Sequence, residues 1–280
     1  MNIVLCTKKD IFGAVILNLL LPTLQHHRVK VLLSDKIRDE ETRVPELIQE
    51  RFLEHDLPVD TLFPLLDGSR QSGELLTFTG ATRKYGVSIE TIEDVNDAAA
   101  ERMFKEWQTD LIVSIRFSLL FQSNILRIPR HGAFNVHPGA LPAYAGLWSP
   151  FWAILHGEKE LGCAVHAIDE GIDTGPLYSH STLPFQAERS VFAHIGDLYM
   201  TGLASVLMLV QELERGATPT LTPQDPARRG YYSLPGAEEL AQFTRLGVAP
   251  VAYDRYQELL GRFVPKSVER RAVTEQTASR

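Results

Sequence analysis

The sequence predicts an α/β protein built on an open, mostly parallel twisted sheet, with a short C-terminal extension. Three observations carry that expectation. Short continuous apolar runs, Asn2-Ile3-Val4-Leu5-Cys6, Val29 to Ser34 and Leu111-Ile112-Val113-Ser114-Ile115, are of the kind that parallel strands bury on both faces. A helical pattern separates the first two, as in a βαβ unit. Polar, glycine-bracketed segments follow the later apolar runs, and open α/β sheets place ligands beyond the carboxyl ends of their strands.

In chain order, a helix is expected from Asp10 to about Gln25. The turn before it, Thr7-Lys8-Lys9-Asp10-Ile11-Phe12-Gly13, lacks G-x-G-x-x-G, which argues against a dinucleotide site without changing the sheet type. Residues 36–85 are less regular. Glu40 to Glu54 reads as a helix interrupted at Pro45, and the polar stretch from Asp67 to Tyr85 reads as an excursion from the sheet or a mobile loop. Glu93 to Trp107 has helical spacing, with Asn96 as its cap. Strands are expected at Leu111 to Ile115, Ala133 to His137, Ala164 to Ile168 and Leu177 to Leu183, with short helices near Gln122 to Leu126 and Ser149 to His156. Ser190 opens a long helix whose apolar positions Val191, Ile195, Leu198, Leu203, Val206, Val210 and Leu213 recur at helical spacing, ending near Gly216. A proline-punctuated connector then leads through Arg228-Arg229-Gly230-Tyr231-Tyr232 to two helical patterns, Ala237 to Leu246 and Asp254 to Phe263. The chain therefore divides into a main domain over 1–216 and an extension over 217–280, partly helical, with a polar, frayed end.

Bulk properties narrow the function. The chain has 280 residues, 44% hydrophobic and 22% charged, enough for a sizeable core. A net charge of -7 argues against a broad nucleic-acid surface, so no nucleic-acid partner is expected. Cys6 and Cys163 sit in apolar runs and read as reduced core residues. The N-terminus runs straight into Lys8-Lys9-Asp10, unlike a secretory signal. The apolar run Ala14 to Leu21 is broken by Asn18 and stopped by Pro22, short of a membrane span. No membrane partner is expected, and the cytoplasm is the expected location.

The chemistry concentrates in two stretches. In Phe134-Asn135-Val136-His137-Pro138-Gly139, a strand would put Asn135 and His137 on one face and the apolar pair on the other. An amide and an imidazole side by side can both donate to one oxygen, as an enzyme does to hold a developing oxyanion. Alone, this pair reads more readily as a strand ending in a Pro-Gly turn with one buried, satisfied histidine. The loop Asp169-Glu170-Gly171-Ile172-Asp173-Thr174-Gly175 adds a carboxylate, and an amide, an imidazole and a carboxylate in one cleft suit acyl transfer through a tetrahedral intermediate. No Ser or Cys is placed as a nucleophile, and no G-x-S-x-G elbow occurs, so direct transfer to an external amine fits better than an acyl-enzyme.

Asn135-Val136-His137-Pro138-Gly139-Ala140-Leu141-Pro142-Ala143-Tyr144-Ala145-Gly146, followed by Gly162 to Gly175, resembles the 10-formyltetrahydrofolate-dependent formyltransferase family, which includes glycinamide ribonucleotide, methionyl-tRNA and sugar N-formyltransferases. The clear likeness runs from about Asp110 to Pro184. It implies a Rossmann-like formyltransferase fold and a catalytic triad of Asn135, His137 and Asp173. In that scheme Asn135 and a protonated His137 hold the formyl oxygen, each donor lowering the barrier by roughly 3 kcal/mol. Asp173 keeps His137 charged and accepts, through water, the proton lost by the amine. The donor, 10-formyltetrahydrofolate, is then expected on Ser118, Leu119, Leu120 and Phe121 and on Glu170, Gly171 and Ile172, largely through main-chain groups.

The sequence departs from the family pattern at three places: Ala145-Gly146 for Arg-Gly, Ala164 for Ser or Thr, and Ile115-Arg116 for a small pair. His166 matches a position often His in the family, with an acceptor-site and a packing role equally open. Trp148 and Trp152 read as core or as a platform for the acceptor. His26, His27, His55, Arg228 and Arg229 read as solvated. The tail beyond Gly216 is short and not strongly basic, which disfavours tRNA. Length and the Tyr-Tyr-Ser-Leu-Pro stretch are most similar to sugar N-formyltransferases, implying an amino-sugar nucleotide as the small-molecule amine acceptor. The alternatives are hydroxyornithine or another amino-acid-like amine, a formyltetrahydrofolate deformylase, or a folate-binding protein without activity. Exposed Tyr231 and Tyr232 would suit a homodimer interface.

Overall fold

A computed structural model describes residues 1–69 and 73–266; the frayed end expected at the C-terminus lies outside the described residues from 267 on. The chain runs β1 (Asn2–Lys8), α1 (Ile11–Leu20), β2 (Arg28–Ser34), α2 (Glu40–Arg43), α3 (Pro45–Arg51), a π-helical segment (Phe52–Leu62), α4 (Phe63–Ser69), α5 (Phe78–Tyr85), β3 (Ser88–Thr91), α6 (Ala98–Glu106), β4 (Leu111–Ile115), α7 (Ser123–Leu126), β5 (Ala133–His137), β6 (Ala145–Gly146), α8 (Ser149–Leu155), β7 (Glu160–Ala167), β8 (Leu177–Pro184), α9 (Val191–Glu214), β9 (Tyr231–Tyr232), α10 (Ala237–Thr244) and α11 (Tyr253–Gly261).

Seven strands form one sheet in the order β3-β2-β1-β4-β5-β7-β8, and β6 pairs with β9 in a small second sheet. The first five strands of that order are parallel; β7 and β8 are antiparallel to their neighbours. Strand order reverses direction between β1 and β4, which makes their carboxyl ends the topological switch point where such sheets bind ligands. Register aligns Ser114 with Asn135, and Asn135 with His166. The ends of β4, β5 and β7 are thereby brought side by side.

The apolar runs form strands because helices cover both sheet faces. Ile3, Leu5, Val31, Val113, Phe134 and Val136 pack with α1 and α9 in one core cluster. Val4, Cys6, Leu32, Ile112 and Ala133 pack with Phe104 of α6 in the other. Both cysteines are free and buried. Helix α9 bears out the apolar positions read from its spacing, all of them buried, with Ser190 Oγ capping Ala193 N at 3.2 Å. Among the described residues it is also the one helix long and apolar enough, by length and composition, to cross a membrane.

The helix read over Glu40 to Glu54 with its break at Pro45 is borne out by α2 and α3. Three expectations are corrected. Residues 67–69 and 78–85, expected as an excursion or loop, are helical. Leu47, Leu53, Val59, Phe63 and Leu66 form a buried face, partly on π-helical turns. There Phe63 N–H donates to Pro58 O, an i→i+5 bond, and this period hides the apolar stripe from a search at helical spacing. The cap of α6 is Asp97, which accepts from Ala100 N at 2.7 Å, and not Asn96. His55 is buried between Asp35 and Asp56, 2.9 Å from each, and is not solvated. In addition, the edge strand β3, whose residues are half exposed, has too few apolar positions to be visible in the sequence.

The chain beyond 216 packs on the same core. Leu240, Phe243, Tyr256 and Phe263 are buried there, and Tyr256 Oη donates to Leu53 O at 2.5 Å. Tyr232 stacks on Tyr144 and Trp152 and is not exposed, which leaves only Tyr231 for the interface suggested for the pair.

Candidate active site

Strand alternation at the end of β5 sends Val136 into the core and leaves Asn135 and His137 on the opposite face. His137 is almost fully buried. Its Nε2–H donates to Tyr144 O at 2.7 Å, with Ser149 Oγ 3.0 Å from the same nitrogen. Nδ1 therefore faces Asp173, 3.6 Å from Oδ2. This is an ion-pair distance, too long for a hydrogen bond, and it leaves Nδ1 free to turn to an incoming oxygen. A Cβ on Gly139 would lie 2.5 Å from both His137 Nε2 and Tyr144 O, so the glycine is what lets the turn close against the ring.

Asp173 is held at φ +54 by contacts from three directions. Gly146 N–H donates to Oδ2 at 2.8 Å, and His166 Nε2 lies 3.4 Å from Oδ1. Gln224 Nε2 donates to Asp173 O at 3.0 Å and to Gly175 O at 2.6 Å. Burial pushes the carboxyl up, but the charge of His137 and the hydrogen bonds from His166 and Gly146 outweigh it and hold Asp173 well below the usual carboxylate range. His166 Nδ1–H donates to Ala167 O at 2.8 Å, and its Nε2 lies 3.2 Å from Asn135 Nδ2 as well as facing Asp173. The structure thus gathers Asn135, His137 and Asp173 and adds His166 as a fourth member. It places His166 in the polar cluster and not in apolar packing.

Ser118, Leu119, Leu120, Phe121, Glu170, Gly171 and Ile172 line the same cleft, of about 530 Å³. Ser34 Oγ accepts from Ser118 N, and Asn96 ties the segment down, donating to Leu120 O at 2.8 Å and accepting from Gln122 N at 2.7 Å. Phe121 stacks on Phe117 with ring centroids 5.6 Å apart. On the facing loop Arg229, exposed as its sequence context implied, donates from Nη2 to Ile172 O at 2.7 Å. An apolar wall of Phe117, Leu119 and Ile168 beside main-chain groups of two loops fits a flat heteroaromatic ring.

Of the departures, Ala164 is fully buried against Leu141 and Ala145, with no polar task. Gly146 is held at φ +95 with Tyr232 O where a Cβ would sit, so β9 depends on it. Arg116 at φ +63 turns into the cleft floor, its Nε 2.6 Å from Asp10 Oδ2 and its Nη2 bonded to Glu54. Trp148 lines the cleft, whereas Trp152 Nε1 donates to Ser233 O and stacks on Tyr232.

Known proteins resemble this chain most clearly over one segment. The profile of the formyl transferase family matches residues 80–194, which contain β4, β5, β7 and Asp173. Over that segment the chain is similar to the formyl transferase family. A methionyl-tRNA formyltransferase of Sinorhizobium fredii is 33% identical over 145 residues, 51% of this chain and 46% of that protein. The chain spans about half the length of the curated relatives it matches. The fold is shared more widely. A 4-N formyltransferase from Francisella tularensis superposes with a TM-score of 0.56 at 11% identity, covering 89% of both chains. An N-formyltransferase from Helicobacter canadensis, solved with folinic acid and dTDP-3-aminofucose, superposes with a TM-score of 0.53 at 18% identity, covering 88% of this chain and 80% of that one.

Sequence reasoning missed the supports of the site: Tyr144 O, Ser149, Gly146 N–H, Gln224 and Asn96. Only Gly139 and Gly146, glycines inside the motif itself, signalled close backbone approach.

Proposed function

We propose that the chain transfers a formyl group from 10-formyltetrahydrofolate to the amine of a small molecule. The observation that carries this reading is the convergence of Asn135 Nδ2, His137 Nδ1 and the Asp173 carboxylate at adjacent strand ends in one cleft. The formyl-folate supplies the electrophilic carbonyl carbon, with its ring on residues 118–121 and 170–172. Asn135 and the His137 imidazolium, whose Nε2 proton is already committed to Tyr144 O, donate to the oxygen as negative charge builds on it. Asp173, kept ionised, stabilises that imidazolium and takes the proton released when the amine nitrogen bonds to carbon. The bond from that carbon to the folate nitrogen breaks, and that nitrogen regains a proton. Residues 1–216 are the catalytic domain in this reading. The extension from 217 braces it, through Gln224 and Arg229 on the Asp173 loop. The cytoplasm, where folate cofactors are used, is the location that goes with this reaction.

The test is incubation with 10-formyltetrahydrofolate and a panel of amines that includes amino-sugar nucleotides, amino acids, hydroxyornithine and initiator tRNA. The readout is mass spectrometry for a formyl gain. Formate release that no amine alters would mark a deformylase, and binding without turnover a folate-binding protein. Asn135→Ala and Asp173→Ala are each expected to lower kcat about a hundredfold or more while folate binding survives. Near-normal turnover in either would remove the roles assigned to them.

A further inference from the structure

The other half of the cleft is built from the ends of β1 and β4 and from residues 38–54. At its floor Asp10 is fully buried, and its Oδ1 accepts from Gly13 N at 2.7 Å at the start of α1. A helix start beside the switch point is where a sheet of this order commonly holds a phosphate. Here the chain's own carboxylate fills that place, and it takes Arg116 as well. The neighbouring cations are also committed. Lys8 and Arg38 lie 3.2 and 3.9 Å from Glu41, and Arg51 lies 3.2 Å from Asp56.

Among the buried groups what is left over is negative; Lys36, which also lines the cleft and makes no ion pair among the described residues, is exposed. Glu54 is only 6% exposed, and its Oε1 has no hydrogen-bond partner among the described residues, although Oε2 is bonded to Arg116. Glu50, one helical turn earlier, lines the same cleft and makes no hydrogen bond or ion pair among the described residues. Burial raises both carboxyls, and at Glu50 the charge of Glu54 raises it further. A buried carboxylate oxygen without a donor is unfavourable, and a cationic group entering the cleft relieves it.

We infer that the amine acceptor carries a second cationic group, an ammonium or guanidinium, which Glu54 and Glu50 receive while its nucleophilic nitrogen faces Asn135, His137 and Asp173. An acceptor built on a diphosphate does not suit this half of the cleft. The inference rests on the formyl-transfer reading and narrows its acceptor away from the amino-sugar nucleotide.

Calorimetric titration of the full chain tests it without turnover. Putrescine, cadaverine, agmatine, L-ornithine, L-lysine and L-arginine are compared with n-butylamine, n-pentylamine and thymidine diphosphate. At least one dicationic probe is expected to bind about tenfold to a hundredfold more tightly than every monoamine and the diphosphate. Glu54→Gln and Glu50→Gln should each erase most of that advantage. Glu54→Gln also weakens a partner of Arg116, so Glu50→Gln, which has no bond to lose, carries the decision if the first variant melts early. Equal binding of dications and monoamines, tighter binding of the diphosphate, or an advantage untouched in Glu50→Gln overturns the inference. Formyl transfer to the tightest probe is then followed by mass. Dication binding without a formyl gain leaves the contact standing and removes the transferase reading; a formyl gain confined to a sugar nucleotide does the reverse.

Discussion

Replacing Gly139 by alanine isolates the positioning of His137 from its chemistry. The new methyl carbon would lie 2.5 Å from His137 Nε2, 2.5 Å from Tyr144 O and 2.7 Å from Ser149 Cβ, where ordinary contact begins at 3.4 Å. Relief therefore needs a retreat of about 0.9 Å by the imidazole or the carbonyl. Both are ends of the same 2.7 Å hydrogen bond, so neither moves without breaking it. Overpacking of this kind costs about 1–3 kcal/mol of stability, which leaves a domain of this size folded. A displacement near 1 Å at a reacting group costs about a hundredfold in rate. The expected result is kcat lowered about a hundredfold, a melting temperature lowered by a few degrees, and unchanged affinity for a folate analogue. The assays are steady-state formyl transfer, thermal melting and fluorescence titration. Gly139→Ala with full kcat would refute the claim that the Tyr144 carbonyl fixes the imidazole.

Two further predictions follow from the surroundings. Gln224→Ala removes both side-chain bonds to the Asp173 loop, so kcat/KM should fall about tenfold with little change in melting temperature, since one half-buried side-chain anchor contributes only about 1 kcal/mol; unchanged kinetics would show that the loop is held without the extension. Glu50 and Glu54 have carboxyls raised from 4.5, so the folded chain binds protons that the unfolded chain releases, and the stability they contribute is lost as pH rises above that value. The ligand-free melting temperature should thus fall as pH rises above 4.5, and Glu50→Gln should flatten the slope; a flat profile in the parent chain would contradict the burial of these groups.

Much of the fold was legible because its signals are local. Leu111–Ile115 and Ala133–His137 emerge within the boundaries read from their apolar runs, since a strand buried on both faces has no other way to satisfy its side chains. The spacing of α9 fixed its buried face for the same reason. The helix from Glu40 with its break at Pro45 was legible, but residues 55–69 were not, because π-helical turns change the period on which the apolar positions recur. Asn96 was misread as a cap because an Asn and an Asp side by side are equally good caps; long-range bonds to Leu120 and Gln122 take the Asn and leave the Asp.

The sequence by itself determined the open α/β sheet, the shared face of Asn135 and His137, and the pairing of that motif with an acidic loop carrying Asp173. These depend on strand alternation and on order along the chain. The tertiary structure alone decided which nitrogen of His137 faces the cleft, because a carbonyl seven residues away takes the other. It also decided that Asp173 answers to two histidines and a backbone amide, and that the phosphate-binding corner of the sheet is filled by Asp10 and Arg116. Those partners are separated by up to 106 residues, and only the closure of the sheet sets the distances between them.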